Sequence, residues 1–300
     1  MSVIKCKEVT KIYGRAKAIH NLSFTIEENK ITGLIGRNGA GKSTLLKMIA
    51  GLIKKSDGEI SVFSEQPFNS LKVSSNLIFI DENMIFPNSL SLIEIIKAAG
   101  TFYSNWDKEL AHGLLTYFSF KGNERYEHLS KGKKGTFNMI VGLSARCPIT
   151  IFDEPTNGMD ASVRKDFYRA LLKDYLAFPR TIILSSHLLA EMEHILEDIL
   201  LIKDGQKCLH MPVLDMKEFA IGLSGQPELV EEWIKGLKVL HKKNIGSNQV
   251  YVVVEDQFNK DEKDQVKSKG IELSSVSTEE LCVFLTDKMT GGIDDVFNRN

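Results

Sequence analysis

Ile31-Thr32-Gly33-Leu34-Ile35-Gly36-Arg37-Asn38-Gly39-Ala40-Gly41-Lys42-Ser43-Thr44 decides the reading of this 300-residue chain. The first five residues form a short apolar run, as expected of a buried strand. Residues Gly36 to Thr44 fit G-x-x-x-x-G-K-[ST], and a helix from Lys42 to about Leu52 should follow directly. Strand, glycine-rich loop and helix in that order are the local setting of a phosphate-binding loop. Glycines let the backbone curl so that successive N–H groups face one centre, and the helix N-terminus adds partial positive charge. Lys42 would reach the β and γ phosphates of a nucleotide, and the Ser43 hydroxyl would ligate Mg²⁺.

Working outward, residues 2–9 and 22–27 alternate like strands, and Asp57-Gly58 reads as a turn into another strand, Glu59–Phe63. Leu, Ile and Phe at helical spacing mark residues 90–120 as helical. Ile149–Phe152 and Thr181–Leu184 are continuous apolar, β-branched runs of the kind buried in parallel sheets. Helices are expected at 161–176 and 188–196. This alternation argues for an α/β domain with a largely parallel sheet. After Lys203-Asp204-Gly205 the texture changes. Strands at Phe219–Leu223, Leu237–His241, Gln249–Glu255 and Ile271–Val276 alternate with helices at 227–235, 260–268 and 278–287. That pattern predicts a small α+β unit, and places the domain boundary at 1–212 and 213–300.

A second set of polar groups closes the strand at 149–152. There Asp153 and Glu154 precede Pro155. An acidic residue at the end of a buried strand is the usual second half of a nucleotide site, where Asp153 would hold Mg²⁺. A further carboxylate at the carboxyl edge of the sheet, Glu154, can accept a proton from an attacking water.

Composition excludes several classes. Hydrophobic residues at 43% and charged residues at 26% are those of a globular chain. The 38 Lys and Arg nearly balance 39 Asp and Glu, which supplies no generally basic face for nucleic acid. The balance is uneven: residues 211–300 carry a net −5 and residues 1–210 a net +4. The charged start, Met1 to Glu8, lacks the apolar stretch of a signal peptide, and no apolar run approaches the roughly 18 residues of a membrane span. Cys6, Cys147, Cys208 and Cys282 have no metal-binding spacing and read as reduced, mostly buried thiols of a cytosolic protein.

From about residue 3 to 210, the chain resembles the ATP-binding subunits of ABC transporters. Besides the phosphate loop and Ile149–Glu154, Leu129-Ser130-Lys131-Gly132-Lys133 is similar to the family's signature, usually LSGGQ. Glu154-Pro155-Thr156-Asn157-Gly158-Met159-Asp160 resembles the segment running into the D-loop. His187, after the strand at 181, sits where the switch histidine belongs, and Tyr13 matches the aromatic that stacks on adenine. The resemblance implies a domain with a largely parallel core sheet, an antiparallel β subdomain and a helical signature subdomain. It further implies that Gly36–Thr44 (Gly36, Arg37, Asn38, Gly39, Ala40, Gly41, Lys42, Ser43 and Thr44), Tyr13 and Asp153 hold ATP and Mg²⁺ in cis. Ser130 and Gly132 close on the nucleotide in trans, with Asp160 beside it. Glu154 activates water, while His187 and Lys42 align the γ-phosphate.

The sequence departs from the family's pattern in two places. Lys131 and Lys133 stand in the signature where Gly and Gln are commoner. The Q-loop stretch, Ile80-Asp81-Glu82-Asn83-Met84-Ile85-Phe86-Pro87, has no glutamine. Asp81 is assigned to the glutamine's place and to the metal, with Glu82 as the rival. The implied partners are integral membrane permease subunits, contacted through residues 76–105, and a second ATPase subunit, identical or paralogous. Direct nucleic-acid binding is not expected, and the implied place is the cytoplasmic face of the cell membrane. Similarity to bacterial exporters of drugs, lipids or amphipathic peptides makes export the expected direction. An importer ATPase, or a soluble ABC ATPase acting on ribosomes or nucleic acid, are the alternatives.

Overall fold

The structure, a computed structural model, describes residues 1–246 and 248–287. The chain divides into two compact units, Met1–Val213 and a second beginning at Leu214. In the first unit the chain runs through β1 (Ser2–Tyr13), β2 (Ala16–Glu27), β3 (Ile31–Ile35), α1 (Lys42–Ile49), β4 (Asp57–Val62), α2 (Leu71–Asn76) and β5 (Leu77–Ile80). It continues through α3 (Leu92–Phe102), α4 (Lys108–Tyr117), α5 (Lys131–Ala145), β6 (Ile149–Asp153), α6 (Ala161–Ala177), β7 (Thr181–Ser186), β8 (Asp198–Lys203) and β9 (Gln206–Pro212).

Five of these strands make a parallel run, and β9 turns back antiparallel on β8, giving the order β5-β6-β7-β3-β8-β9. Every residue of β3, β6 and β7 is buried, as expected where helices cover both faces of a parallel sheet. A second, antiparallel sheet has the order β2-β1-β4. Its strands alternate: Leu22, Phe24 and Ile26 of β2 turn inward at every second position. They join Leu45, Leu46 and Met48 of α1 and Ile151 and Leu200 of the parallel sheet in one continuous core. Each such side chain contributes about 1.5–3 kcal/mol by burial.

A helical lobe of α3, α4 and α5 carries its own aromatic cluster. Phe86 packs edge-on against Tyr126 at 4.9 Å and Phe137 at 5.7 Å, anchoring the loop after β5 to α5. The helix expected at 188–196 is instead two single turns of 3₁₀-helix, Leu189–Glu191 and Glu193–Ile195. Leu196 is buried just beyond these turns, and within the stretch they span so are Leu189, Met192 and Ile195, three apart. Their spacing of three matches the 3₁₀ repeat rather than the α repeat.

In the second unit, α7 (Val213–Glu218) crosses the boundary and is followed by β10 (Ala220–Gly225), α8 (Pro227–Trp233), β11 (Val239–Ile245), β12 (Gln249–Glu255), α9 (Lys260–Ser268), β13 (Glu272–Ser275) and α10 (Thr278–Thr286). The sheet order β11-β12-β10-β13, all antiparallel, together with α8 and α9, is the split βαβ arrangement of ferredoxin-like units. Val250, Val252 and Val254 of β12 pack on Val230 and Val266 from α8 and α9 in a core separate from that of the first unit. His241 of β11 stacks on Phe284 of α10 at 4.3 Å.

Candidate active site

The phosphate loop connects β3 to α1 as the sequence required. Gly39 and Gly41 adopt left-handed backbone, φ +83° and +101°. At Gly41 a Cβ would lie 2.5 Å from the Ala18 carbonyl oxygen, so only glycine fits. Helix α1 begins there with no side-chain cap and no acidic residue in its first turn. Its leading N–H groups therefore face the loop without a side-chain partner, as an anion site requires. A pocket of about 260 Å³ results, lined by Ala18, the run Arg37 to Thr44, and Glu154.

Lys42, buried, curls back over this pocket. Its Nζ donates to the Gly36 carbonyl at 2.7 Å and pairs with Glu154 Oε1 at 3.0 Å. The other carboxyl oxygen of Glu154 lies 3.0 Å from Nδ1 of His187. Glu154 is thus held between the loop lysine and the histidine after β7, which brings together three residues singled out from the sequence.

The backbone beneath them is specialised. Glu154 has φ +49°, a left-handed conformation that costs a non-glycine residue about 1–3 kcal/mol. Ser185, fully buried on the adjacent strand β7, stabilises it by accepting from the Glu154 N–H at 2.8 Å. The same hydroxyl donates to Asp153 Oδ1 at 2.6 Å. One serine therefore orients both acidic residues. Sequence reasoning passed over Ser185; its signal was a polar pair, Ser185-Ser186, ending an otherwise apolar strand.

Other predicted residues lie outside this pocket. Tyr13 is exposed at the tip of the β1–β2 hairpin with Lys11 Nζ 4.8 Å above its ring. Ser130 caps α5, its Oγ accepting from the Lys133 N–H at 3.4 Å, and Asp160 is the exposed N-cap of α6. Gly132 packs in cis: a Cβ there would lie 2.5 Å from the Gly158 carbonyl oxygen. Asp81 faces an adjoining cleft of about 370 Å³, whose lining includes Glu82, Lys131, Asn138 and Glu154. Its carboxylate is engaged by the Asn83 N–H at 3.1 Å and by Lys47 at 3.6 Å. Among the described residues no group of three His, Cys, Asp or Glu could by itself hold a metal ion, and no helix is long and apolar enough to cross a membrane.

Known proteins are similar to this chain in sequence and fold. The family model described as ABC transporter matches residues 19–157. The bacitracin transport ATP-binding protein BcrA of Bacillus licheniformis is 30% identical over 224 residues, 72% of either chain. The ABC transporter ATP-binding protein YtrB of Bacillus subtilis is 26% identical over 216 residues, 72% of this chain and 74% of the relative. Among solved structures, an ATP-binding subunit of an ABC transporter superposes with a TM-score of 0.65 at 23% identity, over 72% of this chain and 92% of that one. A bacterial ABC transporter cassette solved as a dimer gives 0.60 at 22% identity, over 70% and 98%. With its phosphate loop, carboxylate pair and histidine joined in one site, the chain belongs to the ABC transporter family as one of its ATP-binding, ATP-hydrolysing subunits.

Proposed function

We propose that this chain hydrolyses ATP across a head-to-tail dimer of two such subunits and thereby powers export through separate permease chains. The observation that carries the chemistry is Glu154, fixed between Lys42 and His187 at the mouth of the phosphate loop. Phosphoryl transfer needs charge neutralisation and alignment more than covalent help. When the triphosphate enters, Lys42 exchanges Glu154 for the β and γ phosphates, and the α1 N–H groups cradle their oxygens. Glu154, released from Lys42, accepts the proton of the attacking water, while His187 holds the same carboxylate from its other side and faces the γ-phosphate. Tyr13, exposed and with Lys11 over one face of its ring, offers the other face to adenine. Ser130 and Gly132, from the partner, close on the γ-phosphate, with Asp160 at the dimer seam.

The donor set fits Mg²⁺: the Ser43 hydroxyl and the Asp153 carboxylate are hard oxygen ligands, and phosphates and waters supply the rest. Bound there, the ion neutralises charge developing on the phosphate oxygens. Ser43 and Asp153 would hold the ion, while Asp81 stands in the adjoining cleft, paired with Lys47.

Coupling to a permease is supported by apolar side chains left in water on the segment 76–105, where Ile85 is 88% and Phe102 79% exposed. With a permease docked there, the chain would sit peripherally, on the cytoplasmic face of a membrane. Export is supported by the relatives' names, which include bacitracin and lantibiotic transport and Nod factor export. A tagged chain, extracted with detergent from membranes of the cells that make it, should bring down an integral membrane protein. That complex should hydrolyse ATP faster than the chain alone. Recovery without any membrane protein, or no gain in turnover, contradicts the transport reading.

A further inference from the structure

The loop after β5 and the start of α5 meet in the 370 Å³ cleft beside the phosphate pocket. There Lys131 Nζ and a carboxyl oxygen of Glu82 pair at 2.8 Å. These two residues fall at the chain's two departures from its family's pattern, one in each segment. Asp81 is already engaged by Lys47, which leaves Glu82 as the carboxylate that answers Lys131. The stem of Lys131 also lies along Gly158, its Cγ 3.4 Å from where a Cβ would stand. The lysine thus touches the segment that follows Glu154 as well as the loop after β5.

Electrostatics make the pairing exchangeable. Helix α5 has no acidic residue in its first turn and instead carries Lys131, Lys133 and Lys134 there, against the preference of a helix N-terminus for negative charge. Lys131 and Glu82 remain 68% and 49% exposed, and pairs so exposed are weak. A triphosphate presents more charge than one carboxylate and can displace it.

We propose that Glu82–Lys131 is a charge latch. In cis the pair ties the loop after β5 to the signature helix and holds the lysine head back. On closure of the dimer, Lys131 leaves Glu82 for the γ-phosphate bound by the facing subunit, so nucleotide capture and release of the loop are one event. The latch rests on the head-to-tail dimer proposed above.

The full-length chain carrying Glu154→Gln, titrated with ATP and followed by analytical ultracentrifugation, tests it. Glu82→Gln, which frees the lysine, should lower the half-saturating ATP concentration for dimer formation by about two- to fivefold. Lys131→Met should raise it by a similar factor. The exchanged pair Glu82→Lys with Lys131→Glu should fail to restore the parental value, since the glutamate repels phosphate. An exchanged pair that behaves like the parent, or single changes that leave the titration unmoved or move it in the same direction, overturns the latch. Failure of the parent to dimerise at all overturns the dimer reading, and the latch with it.

Discussion

At the scale of single residues, the site depends on Ser185, which no motif announces. Its hydroxyl is the only hydrogen-bonding group on β7 that serves both Asp153 and the strained Glu154 backbone. Ser185→Ala strips a buried partner from each, a loss of about 1–3 kcal/mol in unfolding free energy. Because the carboxylates then drift from alignment, kcat should fall by at least about tenfold, with a smaller change in KM. Steady-state ATPase assays beside urea melts check both. The loop glycines and Lys42 could be read from the chain as a phosphate-loop spacing, Glu154 as a carboxylate closing a buried strand, and His187 only through the family resemblance. For Ser185 the chain shows only a polar end to the strand, since its partners lie 31 and 32 residues away in sequence and only the parallel pairing of β6 with β7 unites them.

Among the elements, α5 shows how tertiary packing overrides local propensity. Its sequence, Lys131-Gly132-Lys133-Lys134-Gly135-Thr136, is rich in glycine and charge, and glycine costs a helix about 1 kcal/mol relative to alanine. No helix is legible there, yet one runs to Ala145. Close approach explains it: a Cβ at Gly142 would stand 2.6 Å from the ring of Phe152, and one at Gly132 2.5 Å from the Gly158 oxygen. Gly132→Ala should therefore push the signature away from the segment after Glu154. The expected result is at least about a tenfold drop in turnover and a lower melting temperature. Gly135→Ala meets the flexible end of Met159 at 3.2 Å and the Pro155 carbonyl oxygen at an ordinary contact distance of 3.5 Å, and should change both little. Residues 189–195 read as a helix in the sequence for a related reason, because residues three apart fit both repeats until burial is known. The parallel strands β3, β6 and β7 were legible, since burial on both faces demands apolar residues without interruption.

For the whole molecule, the net charge of −1 concealed a positive first unit and an acidic second one, and two separate hydrophobic cores accompany that division. The α+β character of the second unit followed from its short alternating segments, whereas its 4-1-3-2 strand order depends on pairings that no local pattern encodes. Leu223→Ala, in the fully buried centre of the second core, should cost about 2–5 kcal/mol. In a thermal scan it should lower the transition of that unit, while ATP at about a hundredfold its Kd raises the first unit's stability by about 2.7 kcal/mol. A single transition that responds to both would show that the units melt as one. The account as a whole turns on Glu154, which Lys42 and His187 hold between them. Glu154→Gln should bind ATP and assemble into a stable dimer while hydrolysing it about 10²- to 10⁴-fold more slowly. Near-normal turnover in that variant would contradict the assignment of Glu154 as the base and the mechanism built on it.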